Sequence, residues 1–246
     1  MDTKEVEQKY LILKGYAGSI SYGTNTPLSD VDIRGVFIPP KEYWLGLDNV
    51  EQVEDSKEDT VYYALKKFFN LALNANPNIL EILWLRENHY IWKDLPENRK
   101  KLGKLLITNR DLFMSKKIRH SMMGYAYQQF HRMDKLNKNE GNNAFRVASV
   151  EKYGYDTKNA MHLIRLCKMA LEALVEGEIH VWREDAHLLT QIREGYFTYD
   201  ALAEKFHKYE ELVEEAYVNS SLPHKPDRKR AGQLIMEMTE EFLKEC

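Results

Sequence analysis

The segment from Gly18 to Gly35 constrains this chain more than any other: Gly-Ser-Ile-Ser-Tyr-Gly-Thr-Asn-Thr-Pro-Leu-Ser-Asp-Val-Asp-Ile-Arg-Gly. An apolar run from Tyr10 to Ala17, broken by Lys14, leads into Gly18-Ser19, the pattern of a strand entering a sharp turn. Val31 to Ile38 is a second strand candidate, held between Ser29-Asp30 and Pro39-Pro40. On such a strand Asp30 and Asp32 share one face, while Val31 and Ile33 point into the core. Two carboxylates so close repel each other unless a cation sits between them. Hard oxygen donors of this kind suit Mg²⁺, which takes one or two carboxylates and completes its shell with water and substrate phosphates. Gly18 lets the backbone approach a ligand, successive N–H groups there make an anion site, and the Ser19 hydroxyl adds a donor for a phosphate oxygen. A phosphate cradle and a carboxylate pair on adjacent strands form a minimal apparatus for phosphoryl or nucleotidyl transfer.

Three other motifs fail on the residues. A P-loop requires a lysine where Gly23 is followed by Thr24-Asn25. Asp30-Val-Asp-Ile-Arg34-Gly35 imitates the start of a calcium loop, but its fifth position is a cation and its twelfth is Lys41 in place of glutamate. A dinucleotide-binding Gly-x-Gly-x-x-Gly is absent.

Weaker strand candidates run from Val50 to Glu54 and from Asp59 to Tyr63, around the charged turn 55–58. Helical spacing follows from Tyr62 to Asn74, Asn76-Pro77 breaks it, and Ile79 to Trp84 is a short buried helix or strand. Beyond about residue 105, Ser115–Leu136, Asp156–Val175, Ala186–Arg193, Asp200–Val218 and Pro226–Lys244 read as helices. Asp156 and Asp200 are the expected N-caps, and Gly177 and Gly195 the expected stops. Residues 138–143 form the most loop-like stretch. The expected fold class is α+β: a small mixed-sheet domain over residues 1–110, then an all-helical C-terminal domain over 111–246.

Gly-Ser, ten residues, then Asp-x-Asp between apolar neighbours resembles the signature of the DNA polymerase beta superfamily of nucleotidyltransferases. The longer string, Gly-Ser-x-x-Tyr-Gly-Thr-x-Thr-Pro-x-Ser-Asp-x-Asp-x-Arg-Gly-Val-Phe, is similar to a branch of bacterial and phage nucleotidyltransferases, some associated with RNA ligases and RNA repair. The likeness continues at Asn76-Pro-Asn-Ile-Leu-Glu-Ile-Leu83 and at Gly154-Tyr-Asp-Thr-Lys-Asn-Ala-Met-His-Leu-Ile-Arg-Leu166, so it touches both expected domains. The resemblance implies that Gly18 and Ser19 hold the β- and γ-phosphates of an NTP and that Asp30 and Asp32 hold two magnesium ions. A third carboxylate on a neighbouring strand would bind the second metal and help deprotonate an attacking hydroxyl. Asp59 is our choice for it, with Glu54, Asp55 and Glu58 as rivals; Glu81 reads as a buried, paired carboxylate supporting the site. Arg34 shares the pleat face of Asp32, where it would pair with a carboxylate or meet a phosphate. Lys158, His162 and Arg165 recur at i, i+4 and i+7 on one helix face, and the likeness makes them nucleotide-binding candidates as well as a solvated surface.

Charge and cysteine content bound the partners. A net charge of −3 over 246 residues gives no global positive field, so any RNA would be held by local patches. Candidates are Lys116-Lys117-Arg119-His120, followed by Tyr125, Tyr127, Phe130 and His131, and the cluster Arg228-Lys229-Arg230. Such clusters are also ordinary helix surface. Cys167 and Cys246 support neither a disulfide framework nor a zinc site and suit a reducing cytoplasm. A charged N-terminus and the lack of any eighteen-residue apolar run predict neither a signal peptide nor a membrane span. The resulting expectation is a cytoplasmic, magnesium-dependent nucleotidyltransferase that passes a nucleoside monophosphate to RNA or a small molecule. Two alternatives are a nucleotide-sensing regulatory partner without catalysis, and a phosphotransferase that moves the γ-phosphate.

Overall fold

The computed structural model describes residues 1–133 and 144–244. Four strands build one mixed sheet in the order β1-β2-β4-β3: β1 (Leu11–Tyr16), β2 (Ile33–Phe37), β3 (Gln52–Asp55) and β4 (Thr60–Ala64). β1 runs antiparallel to β2, β2 parallel to β4, and β3 antiparallel to β4. All four strands carry β-branched or aromatic residues that suit a pleated surface. Two glycines, Gly15 and Gly35, interrupt that pattern, and the place of Gly35 explains it. A β-carbon there would stand 2.6 Å from the Leu13 carbonyl oxygen and 2.8 Å from the Tyr62 ring, so the bare backbone lets that ring lie across β2.

The helices, in order, are α1 (Thr3–Lys9), α2 (Gly18–Tyr22), α3 (Glu42–Leu45), α4 (Leu65–Ala72), α5 (Pro77–Leu83), α6 (Glu97–Thr108), α7 (Lys117–Met133), α8 (Ala144–Tyr153), α9 (Thr157–Glu176), α10 (Ala186–Arg193), α11 (Tyr199–Asn219) and α12 (Arg228–Leu243). The chain divides into two compact units, Met1–Met114 with Lys225–Cys246, and Ser115–His224. This differs from the expected division at residue 110, because α12 returns to the first unit. Phe242 meets the Tyr10 ring at 6.5 Å, and the Asp227 N–H donates to the Leu112 carbonyl at 3.3 Å. An amphipathic helix joins whichever core its apolar face fits, and Ala231, Leu234, Met238 and Phe242 are the buried stripe of α12.

One face of the sheet buries Val6, Leu11, Phe37, Val53, Tyr62 and Ala64 with Leu95. Each fully buried large side chain of this kind contributes roughly 1.5–3 kcal/mol. α1 is pinned to that face by polar contacts as well. Glu7 accepts a short hydrogen bond from the Tyr62 hydroxyl and pairs with Lys14 at 3.0 Å. In the second unit α9 is buried on most sides, with Leu163, Ile164, Cys167, Met169 and Ala170 in its core. Asp156 caps it, accepting the backbone N–H of Lys158 at 2.8 Å and of Asn159 at 3.0 Å, and Gly177 closes it in the left-handed conformation.

Several expected boundaries shift. β2 begins at Ile33, so Asp30, Val31 and Asp32 precede the strand. Thr198, not Asp200, caps α11: its hydroxyl accepts the Ala201 N–H at 3.2 Å. The segment Ile79–Trp84 is helix α5, with Pro77 in the first turn where its missing N–H costs nothing. Residues 138–143, expected as a loop, lie outside the described residues, as does Cys246. No helix among the described residues is long and apolar enough to cross a membrane.

Candidate active site

The strands β1, β2 and β4 present their ends to one edge of the sheet, and the Gly18–Gly35 segment is folded across it. β1 stops at Tyr16, and the Ala17 N–H donates to the Asp32 carbonyl at 2.9 Å, which holds the two halves of the motif together. Gly18 follows at φ +59°, the left-handed region where glycine carries no β-carbon penalty. A β-carbon on Gly18 would stand 2.1 Å from Asp32 Oδ2. The Asp32 carboxylate therefore lies directly against the backbone of the Gly-Ser turn. Ser19 is partly exposed, and its carbonyl accepts the Thr24 N–H at 3.0 Å, closing α2 before Gly23.

The loop from Thr26 to Ser29 is a side-chain-supported turn: the Ser29 hydroxyl accepts the Thr26 N–H at 2.9 Å, and the Ser29 N–H donates to the Thr26 carbonyl at 3.0 Å. It delivers Asp30, which is exposed, to the start of β2.

The parallel register pairs Ile33 with Thr60, so β2 and β4 start level and Asp32 and Asp59 are the residues just before them. The Ile33 N–H donates to the Asp59 carbonyl at 3.1 Å. Asp59 itself is exposed, at φ 44°, a left-handed conformation that aspartate tolerates better than most residues. Arg34 ties these pieces together. Its Nη1 donates to the Asp59 carbonyl at 2.6 Å and to the Ile33 carbonyl at 2.8 Å, and its Nη2 lies 3.7 Å from Asp32 Oδ1. Arg34 thus gives the Asp32 carboxylate a positive neighbour and fixes the turn that carries Asp59.

Of the expected carboxylates, Asp32 and Asp59 each immediately precede a strand, β2 and β4, at the same end of the sheet. Asp30 sits in the irregular segment ahead of them. Among the described residues no three His, Cys, Asp or Glu side chains converge as a ready metal cluster. The donors are nonetheless of the right kind for a hard cation: carboxylate oxygens at the open edge of a sheet, with Asp32 31% exposed. Among the rivals of Asp59, Glu54 pairs in register with Val61, one strand further from Asp32. Asp55 is occupied by its own turn, accepting the Lys57 N–H at 2.9 Å, and Glu58 is exposed in that same turn.

Glu81 is buried and accepts a hydrogen bond from the Tyr22 hydroxyl at 2.7 Å. That bond anchors α2, and with it Gly18 and Ser19, to α5. Sequence reasoning missed Tyr22, because a tyrosine in a short motif reads as packing until its partner 59 residues away is known. It also missed His89. This ring packs edge-on to Tyr16 at 6.4 Å, two residues before Gly18, and burial followed by the Arg86 charge lowers its pKa.

Lys158, His162 and Arg165 belong to α9 in the second unit. Burial pushes the His162 imidazole well below its ordinary pKa, and the charges of Arg165, Lys158, Arg193 and Arg146 push it the same way. The candidate RNA patches are partly committed elsewhere. Arg119 pairs with Glu214 at 2.6 Å, Lys116 lies over the Tyr217 ring at 5.5 Å, and the Tyr127 hydroxyl bonds Glu210. Phe130 stacks on Phe206 at 4.8 Å, and Arg228, Lys229 and Arg230 are exposed at the start of α12.

A family model described as RlaP, RNA repair pathway DNA polymerase beta family, matches residues 2–191. The chain belongs to that family. The match takes in the Gly-Ser turn, the Asp-x-Asp segment and the α9 motif alike. Among curated proteins, the chain is 33% identical over 129 residues to a 38.9 kDa protein of Enterobacteria phage T4, encoded in the nrdC-mobD intergenic region. That alignment covers 48% of this chain and 37% of the phage protein. It is 31% identical over 94 residues to YcgL of Bacillus subtilis (strain 168), covering 34% of each. The chain thus spans little more than a third of the length of these curated relatives. No solved structure matches it.

Proposed function

We propose that the RlaP-type site is a magnesium-dependent nucleotidyltransferase that passes a nucleoside monophosphate from an NTP to a hydroxyl acceptor, with an RNA end as the favoured acceptor. The observation that carries this reading is the contact of the Asp32 carboxylate with the Gly18 backbone. Phosphates held on the N–H groups of the Gly18-Ser19 turn would lie next to the acidic edge. Asp30, Asp32 and Asp59 would hold magnesium, which when bound supplies electrostatic stabilisation of the phosphoryl oxygens. The acceptor oxygen attacks the α-phosphorus, the bond from that phosphorus to the α,β-bridging oxygen breaks, and pyrophosphate leaves. The hydroxyl proton passes to a carboxylate, a role we assign to Asp59. Arg34 positions Asp32 and the Asp59 turn, and Tyr22 with Glu81 holds α2 in place.

The test is an incubation of the protein with each NTP, magnesium and RNA, read by pyrophosphate release. Pyrophosphate that depends on magnesium, on one or more NTPs and on RNA supports the reading. Its absence, with nucleotide still bound, favours a second reading in which the site senses nucleotide for a partner. The Arg34–Asp32 pair at 3.7 Å is the observation behind that second reading, because it places a protein cation beside the carboxylate that catalysis would give to a metal.

A further inference from the structure

The second unit gathers cations around one imidazole. Lys158, His162 and Arg165 come from successive turns of α9, Arg146 from α8, and Arg193 from the last turn of α10. The charges acting most strongly on the His162 ring, those of Arg165, Lys158, Arg193 and Arg146, are all positive. Arg146 also acts against Arg193, so the two arginines repel across the cluster. Among the described residues, Asp156 is one carboxylate that faces them: its Oδ2 lies 3.5 Å from Arg146 Nη1, and its charge favours Arg193. Asp156 is already engaged as the cap of α9, accepting the N–H groups of Lys158 and Asn159 and the Asn159 amide at 3.2 Å.

Buried contacts surround the cluster. Ser149 of α8 and Thr157 of α9 share a buried hydrogen bond at 3.0 Å, and the Arg165 side chain is buried against Met169 with Nη1 3.1 Å from its sulfur. Lys158, His162, Arg146 and Arg193 retain solvent access. Arginines around a neutral imidazole offer planar N–H forks, an ammonium and a ring nitrogen, the donor set that recognises a phosphoryl group.

We infer that Arg146, Lys158, His162, Arg165 and Arg193 form a phosphate-binding site of the helical unit, which takes either the terminal phosphates of a nucleotide or the phosphate at an RNA strand end. The choice of these two sources rests on the nucleotidyltransferase reading; the binding of phosphate does not.

The experiment uses the whole chain without magnesium and follows the His162 ring resonances by NMR, with affinity measured by calorimetry. The probes are inorganic tripolyphosphate and two oligoribonucleotides identical except for a 5′-phosphate or a 5′-hydroxyl. Binding at this site shifts the His162 resonances and raises their apparent pKa. Tighter binding of tripolyphosphate identifies the nucleotide as the source, and preference for the 5′-phosphorylated strand over its 5′-hydroxyl twin identifies the RNA end. Lys158→Ala and Arg193→Ala are each expected to weaken the preferred probe by about tenfold or more. Arg193→Lys, which keeps the charge and the fold, is expected to recover part of the loss. An unmoved His162 with every probe, or wild-type affinity in both alanine variants, overturns the inference and leaves the Asp30/Asp32 chemistry untouched.

Discussion

Gly18 and Asp32 are in direct contact: a β-carbon on Gly18 would stand 2.1 Å from the carboxylate oxygen of Asp32. Gly18→Ala therefore meets two obstacles, the side chain it strikes and a φ of +59°. The second alone costs about 1–2 kcal/mol. The variant is expected to fold, with its denaturation midpoint lowered, and to lose nucleotide affinity and activity together. Wild-type turnover in Gly18→Ala would show that the Asp32 carboxylate need not lie where it does.

Arg34 reaches both sides of the acidic edge, through Asp32 and the Asp59 carbonyl. Groups that orient a metal ligand typically matter by about 10–100-fold. Arg34→Ala is expected to lower activity by that order, with Arg34→Lys no substitute, because a lysine lacks the fork that serves two acceptors at once. Magnesium titrations of the activity check this, and the midpoint is expected to move with the variant.

Tyr22 and Glu81 form a buried bond that fixes α2. Tyr22→Phe removes the donor and leaves a buried carboxylate with one hydrogen bond fewer, at a cost of about 1–3 kcal/mol. Urea unfolding measures it directly, and Glu81→Gln, which can still accept from the hydroxyl, is expected to lose less.

Glu7 and Tyr62 are expected to contribute to the pH dependence of the first unit. Burial works to raise the Glu7 pKa, but the hydrogen bond from Tyr62 and the bond and charge of Lys14 outweigh it and hold Glu7 below the ordinary glutamate value of 4.5. A depressed folded pKa contributes stability that is present above 4.5 and is lost as pH falls through the lowered value. Burial, then the bond to Glu7, raises Tyr62, so that contribution is lost as pH climbs above 10. Thermal unfolding is expected to fall off on both sides, and Glu7→Gln to flatten the acid limb. An unchanged acid limb in that variant would assign the effect to other carboxylates.

The strands around the motif were legible because their apolar runs end in Gly, Ser and Pro, and β1, β3 and β4 lie within a few residues of their expected places. Ala186–Arg193 is helical as expected, and Asp156 and Gly177 bound α9 as a capping residue and a C-terminal glycine should. The start of β2 was not legible, since Asp30-Val31-Asp32-Ile33 has the alternation of a strand, and alternation does not say whether a ladder partner exists. α1 and α6 escaped notice because charged residues dominate them and their apolar positions are few. The return of α12 to the first unit is a tertiary choice between two cores, which periodicity cannot make. In the site, the Gly-Ser turn and the aspartates were visible as a pattern. The roles of Tyr22, Arg146 and Arg193 depend on partners far along the chain and carry no local signal.

Whether the Gly18–Gly35 site moves a nucleoside monophosphate is read from the position of a phosphate label. The protein is incubated with magnesium, RNA and an NTP labelled in parallel at the α- or the γ-phosphate, beside an Asp32→Asn control. α-Label is expected in the RNA and γ-label in pyrophosphate, with neither transfer in the variant. γ-Label in the acceptor with a nucleoside diphosphate left behind, or α-label transfer undiminished in Asp32→Asn, would contradict it.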